Sequence, residues 1–198
     1  GVGEVTAMEM VSAYSVFANG GYLKKPYFID KIIDSQGRKV KLSSALMNAE
    51  VPRIIDPRNA FIMTDMLKEV INSGTPRKAK RLKRNDIAGK TGTTNNLIDA
   101  WFAGYNPDIV TVTWMGFPQP KPLGDKETGS RAALPIWIDY MEPILEDYPI
   151  KMLVEPEGIL PLKVKESDGT LAGPNEPGIY EYFYDEFLPK DNAYFMIN

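Results

Sequence analysis

The apolar positions fall into helix-like and strand-like stretches in a definite order. Ala7, Met10, Val11, Tyr14, Phe17 and Ala18 recur at helical spacing behind Thr6-Ala7-Met8-Glu9, which has the form of a capping box. Asn19-Gly20-Gly21 ends that helix. Tyr27–Ile33 reads as a strand, and Asp34–Gly37 as a turn into Lys39–Leu42, together a hairpin. Asp56-Pro57 opens a second helix, aspartate as cap and proline at the first helical position, with Ala60, Met63, Met66, Leu67, Val70 and Ile71 as its apolar face. Asn72-Ser73-Gly74 closes it. Strands are predicted over about 86–93, 99–105 and 109–115, and their short links make them antiparallel neighbours. After a Pro/Gly loop over 117–130, a third helix is predicted from about Ala132 to Glu146, presenting Ile136, Trp137, Tyr140, Met141 and Ile144. Pro143 should kink it or end it early. From Pro149 the pattern loosens into short strands and turns, followed by an aromatic tail, Ile179–Tyr184. No internal repeat is present.

Composition narrows the chemistry. The 198 residues, 43% apolar and 25% charged, suffice for one core, or one core plus an appendage. A net charge of −3 does not suit a nucleic-acid surface, so no nucleic-acid partner is expected. The chain has no cysteine, which excludes disulfides, thiolate nucleophiles and Cys-based zinc sites; no metal and no cofactor are expected. It also has no histidine, so acid–base work falls to carboxylates, lysine or tyrosine, and a Ser-His-Asp triad is impossible within it. No apolar stretch approaches the roughly 20 residues that span a bilayer, and no signal peptide is read at Gly1. The abrupt start, Gly1-Val2-Gly3-Glu4, reads as that of an excised piece.

The candidate chemistry is concentrated in Gly89-Lys90-Thr91-Gly92-Thr93-Thr94. A lysine between two glycines, with three hydroxyls, on a strand, suits an anion lying beside exposed backbone. A phosphate loop is excluded by spacing: the glycine it needs five residues before Gly89-Lys90-Thr91 is Arg84 here, and an aromatic strand, not a helix, follows. Upstream, Arg77–Arg84 carries six basic residues in eight. It reads as a solvated loop leading into the motif strand, or as an anion-attracting rim able to draw a wall polymer or lipid head groups.

The Lys90-Thr91-Gly92 strand with Thr93-Thr94, the downstream Asp99–Tyr105, and the preceding Gly74-Thr75 resemble the C-terminal half of the transpeptidase domain of penicillin-binding proteins. Glu4–Met10, Ala13–Tyr22, Glu155–Gly158 and Leu171–Asn175 agree, and the resemblance is to the class A, bifunctional type, the 1A group in particular. It implies an α/β (α+β) fold, an antiparallel sheet covered by helices, as in the penicillin-recognising serine transpeptidases and β-lactamases. Residues 1–148 would be the C-terminal part of that domain and 149–198 a C-terminal extension. The implied reaction is serine acyl transfer on a peptidoglycan stem peptide, with β-lactam antibiotics as imitators of the donor. The implied parent is anchored in the bacterial inner membrane, facing the periplasm, and carries a glycosyltransferase domain. Carried over by residue, Lys90 and Thr93 are the catalytic candidates. Lys90 supplies positive charge toward the donor's carboxylate, the Thr91 and Thr93 hydroxyls bind that carboxylate, Gly92 lets the substrate backbone lie close, and the Thr93 N–H is one oxyanion donor.

One departure limits what this chain does. None of its eight serines has lysine three residues on, and no Ser-x-Asn occurs, so the family's nucleophile, proton partner and second wall motif are missing. In the family these lie upstream, so the chain reads as cut between the second and third motifs. It is expected to be inactive alone, to leave apolar surface uncovered, and to take the upstream half of the same domain as a partner. A β-lactamase or carboxypeptidase shares the same machinery, but the long tail and class A-like flanks argue against it. A non-catalytic scaffold or β-lactam sensor of the same fold is the alternative from another class; the intact motif block disfavours it.

Overall fold

The computed structural model describes residues 3–40 and 51–189. Helix α1 (Ala7–Ala18) starts at the expected capping box: Glu9 N–H donates to Thr6 Oγ1 at 3.2 Å and Thr6 N–H to Glu9 Oε2 at 2.8 Å. Its second half is the buried part, through Val16 and Ala18, while Ala7 is exposed. The expected hairpin shrinks to its tip. Asp34 N–H bonds Arg38 O and Val40 N–H bonds Ile32 O, both at 2.9 Å, around a single Ile33–Lys39 bridge. Tyr27, Phe28 and Ile29 are exposed and pair with no strand among the described residues. Lys41 and Leu42, the end of the expected return strand, lie outside the described residues.

Helix α2 (Pro57–Ser73) is capped by Asp56, whose side chain accepts from Arg58 N–H at 2.8 Å. Ala60, Thr64, Leu67 and Ile71 form its buried stripe. Met66, expected on that face, is exposed, since it stands about 100° round the helix from Leu67. Thr64 takes an interior place because its hydroxyl is satisfied: it donates to Ala60 O at 2.8 Å and accepts from Tyr105 OH at 2.9 Å. Burial pushes the Tyr105 phenol well above its ordinary pKa.

Strands β1 (Ala88–Thr93), β2 (Ala100–Tyr105) and β3 (Val110–Met115) form an antiparallel sheet in that order. Gly89 stands opposite Gly104, and Phe102 opposite Thr91 and Thr113. Helix α3 (Leu134–Leu145) follows a π-helical turn, Gly129–Ala133, and buries Leu134, Trp137, Ile138, Met141 and Leu145. Ile136 and Tyr140, expected inward, are exposed. The buried set keeps helical spacing from Leu134, one stripe round from the expected face, and continues the burial of Ala132 and Ala133 in the wide turn. Pro143 does not end the helix early: it lies within it, exposed, two residues before Leu145, and leaves the Asp139 carbonyl without its helical N–H. The main core centres on Phe102 packed edge-on against Trp137, ring centroids 5.0 Å apart. The architecture is therefore the expected mixed one, an antiparallel sheet with helices on it.

The expected aromatic tail is a strand. β5 (Ile179–Tyr184) pairs with β4 (Ile159–Val164) in a separate antiparallel sheet. It meets α2 through Phe61 and Tyr182, centroids 4.9 Å apart, and through Arg58, which donates to Glu186 at 2.8 and 2.9 Å. A cavity of about 190 Å³ lies where α2, the end of β2 and residues 151–155 meet, lined among others by Phe61, Asp65, Tyr105 and Tyr182. Burial there raises the pKa of the Asp65 carboxyl, Lys68 opposing only in part.

The basic run is solvated as expected at Arg77, Lys78, Lys80 and Lys83, which are exposed, but it is wound and partly paired. Arg77–Leu82 is a 3-10 turn with Ala79 buried, and Arg81 pairs with Asp139 and Glu142 of α3. Arg84 uses all five N–H donors: Nε and Nη2 grip Asp86 at 2.9 and 2.6 Å, Nη1 bonds Leu145 O and Tyr148 O, and Nη2 bonds Pro149 O. Asp86 is 3% exposed and also accepts from Lys151 N–H at 3.1 Å.

Two outcomes follow. Arg84→Ala strands a buried carboxylate and is expected to cost about 3–5 kcal/mol in denaturant titration, with Arg84→Lys recovering only part of it. Because the fold raises the Asp65 pKa, its stabilising share is full below the ordinary value of 3.8 and is lost as pH rises through the folded value. Asp65→Asn is therefore expected to raise the unfolding midpoint at pH 7, with the gain vanishing at about pH 3.

Candidate active site

The motif lies on β1, which is an edge strand among the described residues. Its far end is fixed to β2 by Thr94 N–H donating to Asp99 O at 3.1 Å. Antiparallel alternation then makes Gly92–Trp101 and Lys90–Ala103 the hydrogen-bonded pairs. The N–H and C=O groups of Thr91 and Thr93 consequently point away from β2, toward the open edge. The side chains of Thr91 and Thr93 share the face of the sheet that holds Phe102, while Lys90 and Gly92 share the opposite one.

The four candidate residues are thus brought together as four consecutive exposed or half-exposed residues of β1, after the buried Ala88 and Gly89. Lys90 Nζ folds back and donates to Thr91 O at 3.0 Å, so the ammonium sits against the open edge. Thr91 Oγ1 is 3.2 Å from Thr75 Oγ1, in the turn after α2. Thr93 Oγ1 accepts the Gly129 N–H at 3.0 Å. Gly92 leaves space on its own face that Trp101 borders: an added Cβ would stand 3.2 Å from Trp101 Cβ. An anion at this edge would meet one ammonium, two hydroxyls and two backbone N–H groups, which alternate with the Thr91 and Thr93 carbonyls, the first of them already covered by the ammonium.

Sequence reasoning missed the supporting residues. Gly129 fell inside the expected Pro/Gly loop with no periodic signal, and Thr75 had no assigned part. Asp99 is a further one: it accepts from Trp114 Nε1 at 2.9 Å, and its own N–H donates to Thr94 Oγ1 at 2.7 Å, which shapes the loop after the motif. Trp114 in turn lies 6.0 Å from Trp101, centroid to centroid.

No serine hydroxyl bonds a lysine ammonium among the described residues. Ser12, Ser15 and Ser73 donate to carbonyls of their own helices, and Ser130 pairs with Thr128 at 3.0 Å. The same residues hold no cluster of three or more Asp or Glu side chains able to bind a metal ion. None of the described helices is long and apolar enough to cross a membrane.

Residues 1–142 match the model of the penicillin binding protein transpeptidase domain. Penicillin-binding protein 1A of Pseudomonas aeruginosa is 40% identical over 236 residues, an alignment covering 96% of this chain and 29% of that protein. The protein of that name from Neisseria lactamica is 47% identical over 161 residues, covering 81% of this chain and 20% of the relative. The crystal structure of penicillin-binding protein 1A from Haemophilus influenzae superposes with a TM-score of 0.86 at 33% identity, over 94% of this chain and 33% of that one. PonA1 of Mycobacterium tuberculosis shares the fold at a TM-score of 0.61 and 23% identity. The chain thus spans less than a third of the length of these two curated relatives.

Proposed function

The chain belongs to the penicillin-binding-protein transpeptidase domain family, and from that premise we propose that it forms one wall of a peptidoglycan D,D-transpeptidase site. The observation that carries this reading is the open edge of β1, where the Lys90 ammonium, the Thr91 and Thr93 hydroxyls and their backbone N–H groups stand together. In the reaction, a serine supplied from outside this sequence attacks the peptide bond before the donor's terminal D-alanine. The negative charge that forms on the carbonyl oxygen falls on the Thr93 N–H and on the nucleophile's own N–H. Such a donor is worth roughly 3–4 kcal/mol of transition-state stabilisation. D-Alanine leaves with a proton, and the acyl group passes to an amine of a neighbouring strand, which releases the serine. Lys90 and the Thr91 and Thr93 hydroxyls hold the donor's carboxylate throughout. β-Lactams enter by the same route and remain as acyl-enzyme.

The chain alone carries no nucleophile for this step, since it lacks Ser-x-x-Lys and Ser-x-Asn. Its partner is the upstream half of the same domain. Two features support that: β1 and β3 each leave one edge unpaired among the described residues, and Val5, Met8, Ile33, Val40 and Ile54 are exposed. Residues 1–148 act as transpeptidase domain and 149–198 as an extension. The longer protein works on the periplasmic face of the inner membrane, with its anchor and glycosyltransferase outside this sequence.

Fluorescent penicillin separates the possibilities on a denaturing gel. This chain is expected to stay unlabelled, and the protein extended upstream to label. Lys90→Ala in the extended protein should slow labelling at least about tenfold, the worth of a charge-assisted hydrogen bond. An extended protein that folds but never labels would favour a scaffold; labelling of this chain alone would mean that one of its own serines reacts.

A further inference from the structure

Resting on the transpeptidase reading above, the geometry points to Gly129 as the positioning residue that commits the Thr93 hydroxyl to donating into the site. A threonine hydroxyl has one proton and two acceptor lone pairs. The Gly129 N–H occupies one lone pair of Thr93 Oγ1 at 3.0 Å. An amide N–H cannot accept, so the Thr93 proton turns elsewhere, and it has no acceptor among the described residues. Thr93 is exposed at the end of β1, so the proton is free for whatever acceptor binds there. Thr91 differs: its neighbour is another hydroxyl, Thr75, which can donate or accept. The fixed donor of the pair is Thr93, and the ligand group it selects is an acceptor such as a carboxylate.

The contact is built rather than incidental. Gly129 lies so close over the β1–β2 ladder that any side chain would overlap the carbonyl oxygens of Gly92 and Trp101. Only glycine brings its amide this near. The turn is pinned at both ends. Arg131 N–H and Ala132 N–H bond Thr128 O at 2.9 and 2.8 Å, and Thr113 Oγ1 on β3 donates to Ala133 O at 2.9 Å. The wide π-helical winding at 129–133 is what sets this amide on the motif strand ahead of α3.

The test is a double-mutant cycle in the full-length protein, following the second-order rate of acylation by penicillin. Thr93→Val and Gly129→Ala are each expected to slow acylation about tenfold or more, with Thr93→Ser within about threefold of wild type. The double variant Thr93→Val/Gly129→Ala should be no slower than the worse single variant by more than about threefold, because both remove the same interaction. Losses that multiply would mean that Gly129 acts independently of Thr93 and would overturn the proposal. Where Gly129→Ala loses its thermal unfolding transition, hydrogen exchange at the Gly129 amide decides instead. Thr93→Val should speed that exchange at least about tenfold and Thr93→Ser should not; unchanged exchange in the valine variant overturns the assignment. A folded wild type that penicillin never acylates sinks the transpeptidase reading alone, and the exchange result still judges the Gly129 contact.

Discussion

The structure depends on how closely α3 and the turn before it approach the β1–β2 ladder. Gly89 and Gly104 face each other across the two strands. A methyl at Gly89 would stand 2.8 Å from the Phe102 ring, and one at Gly104 2.7 Å from both Phe102 and Trp137. With both absent, Phe102 and Trp137 pack edge-on and the helix seats on the sheet. The same closeness lets Gly129 rest on the ladder and reach Thr93. The core's main aromatic contact and the arrangement of the motif hydroxyls are therefore two results of one steric allowance.

A second constraint holds the other end of β1. Arg84 and Asp86 form a buried pair in which every guanidinium N–H is used, three of them on the carbonyls of Leu145, Tyr148 and Pro149 at and just after the end of α3. The strand that carries the motif is thus tied at its entry to the helix that packs beneath it, and at its exit to Asp99 through Thr94. Between those ties its outer edge meets no other strand of the described residues. A rigid strand with an open, donor-lined edge is what recognition of an extended peptide with a terminal carboxylate requires.

Local chemistry was legible in the sequence wherever a single residue type dictates the outcome. The Thr6–Glu9 box, the Asp56-Pro57 start of α2 and the three antiparallel strands fall where the pattern puts them. Helix faces were read less well. Periodicity favours Met66, Ile136 and Tyr140 because they are apolar, yet in α3 the buried stripe is the competing one, Leu134, Trp137, Ile138, Met141 and Leu145, which keeps helical spacing equally well. Thr64 is interior because two hydrogen bonds satisfy it, and both need the tertiary structure. The basic run was read in part: most of it is exposed, but Arg81 and Arg84 are claimed by carboxylates and carbonyls, some of them about sixty residues away in sequence. The motif itself was visible as a block of residues. Its supports were not, since Gly129 is remote in sequence and signals nothing until its amide is seen on Thr93.

The measurement that bears most directly on the central claim is a crystal structure of the penicilloyl adduct of the longer protein. The β-lactam carboxylate should lie within hydrogen-bond reach of Thr91 and Thr93 Oγ1, with its acyl oxygen on the Thr93 N–H. A carboxylate held away from β1, or an acyl oxygen turned from the Thr93 amide, would contradict the account of this edge as the donor wall of the site.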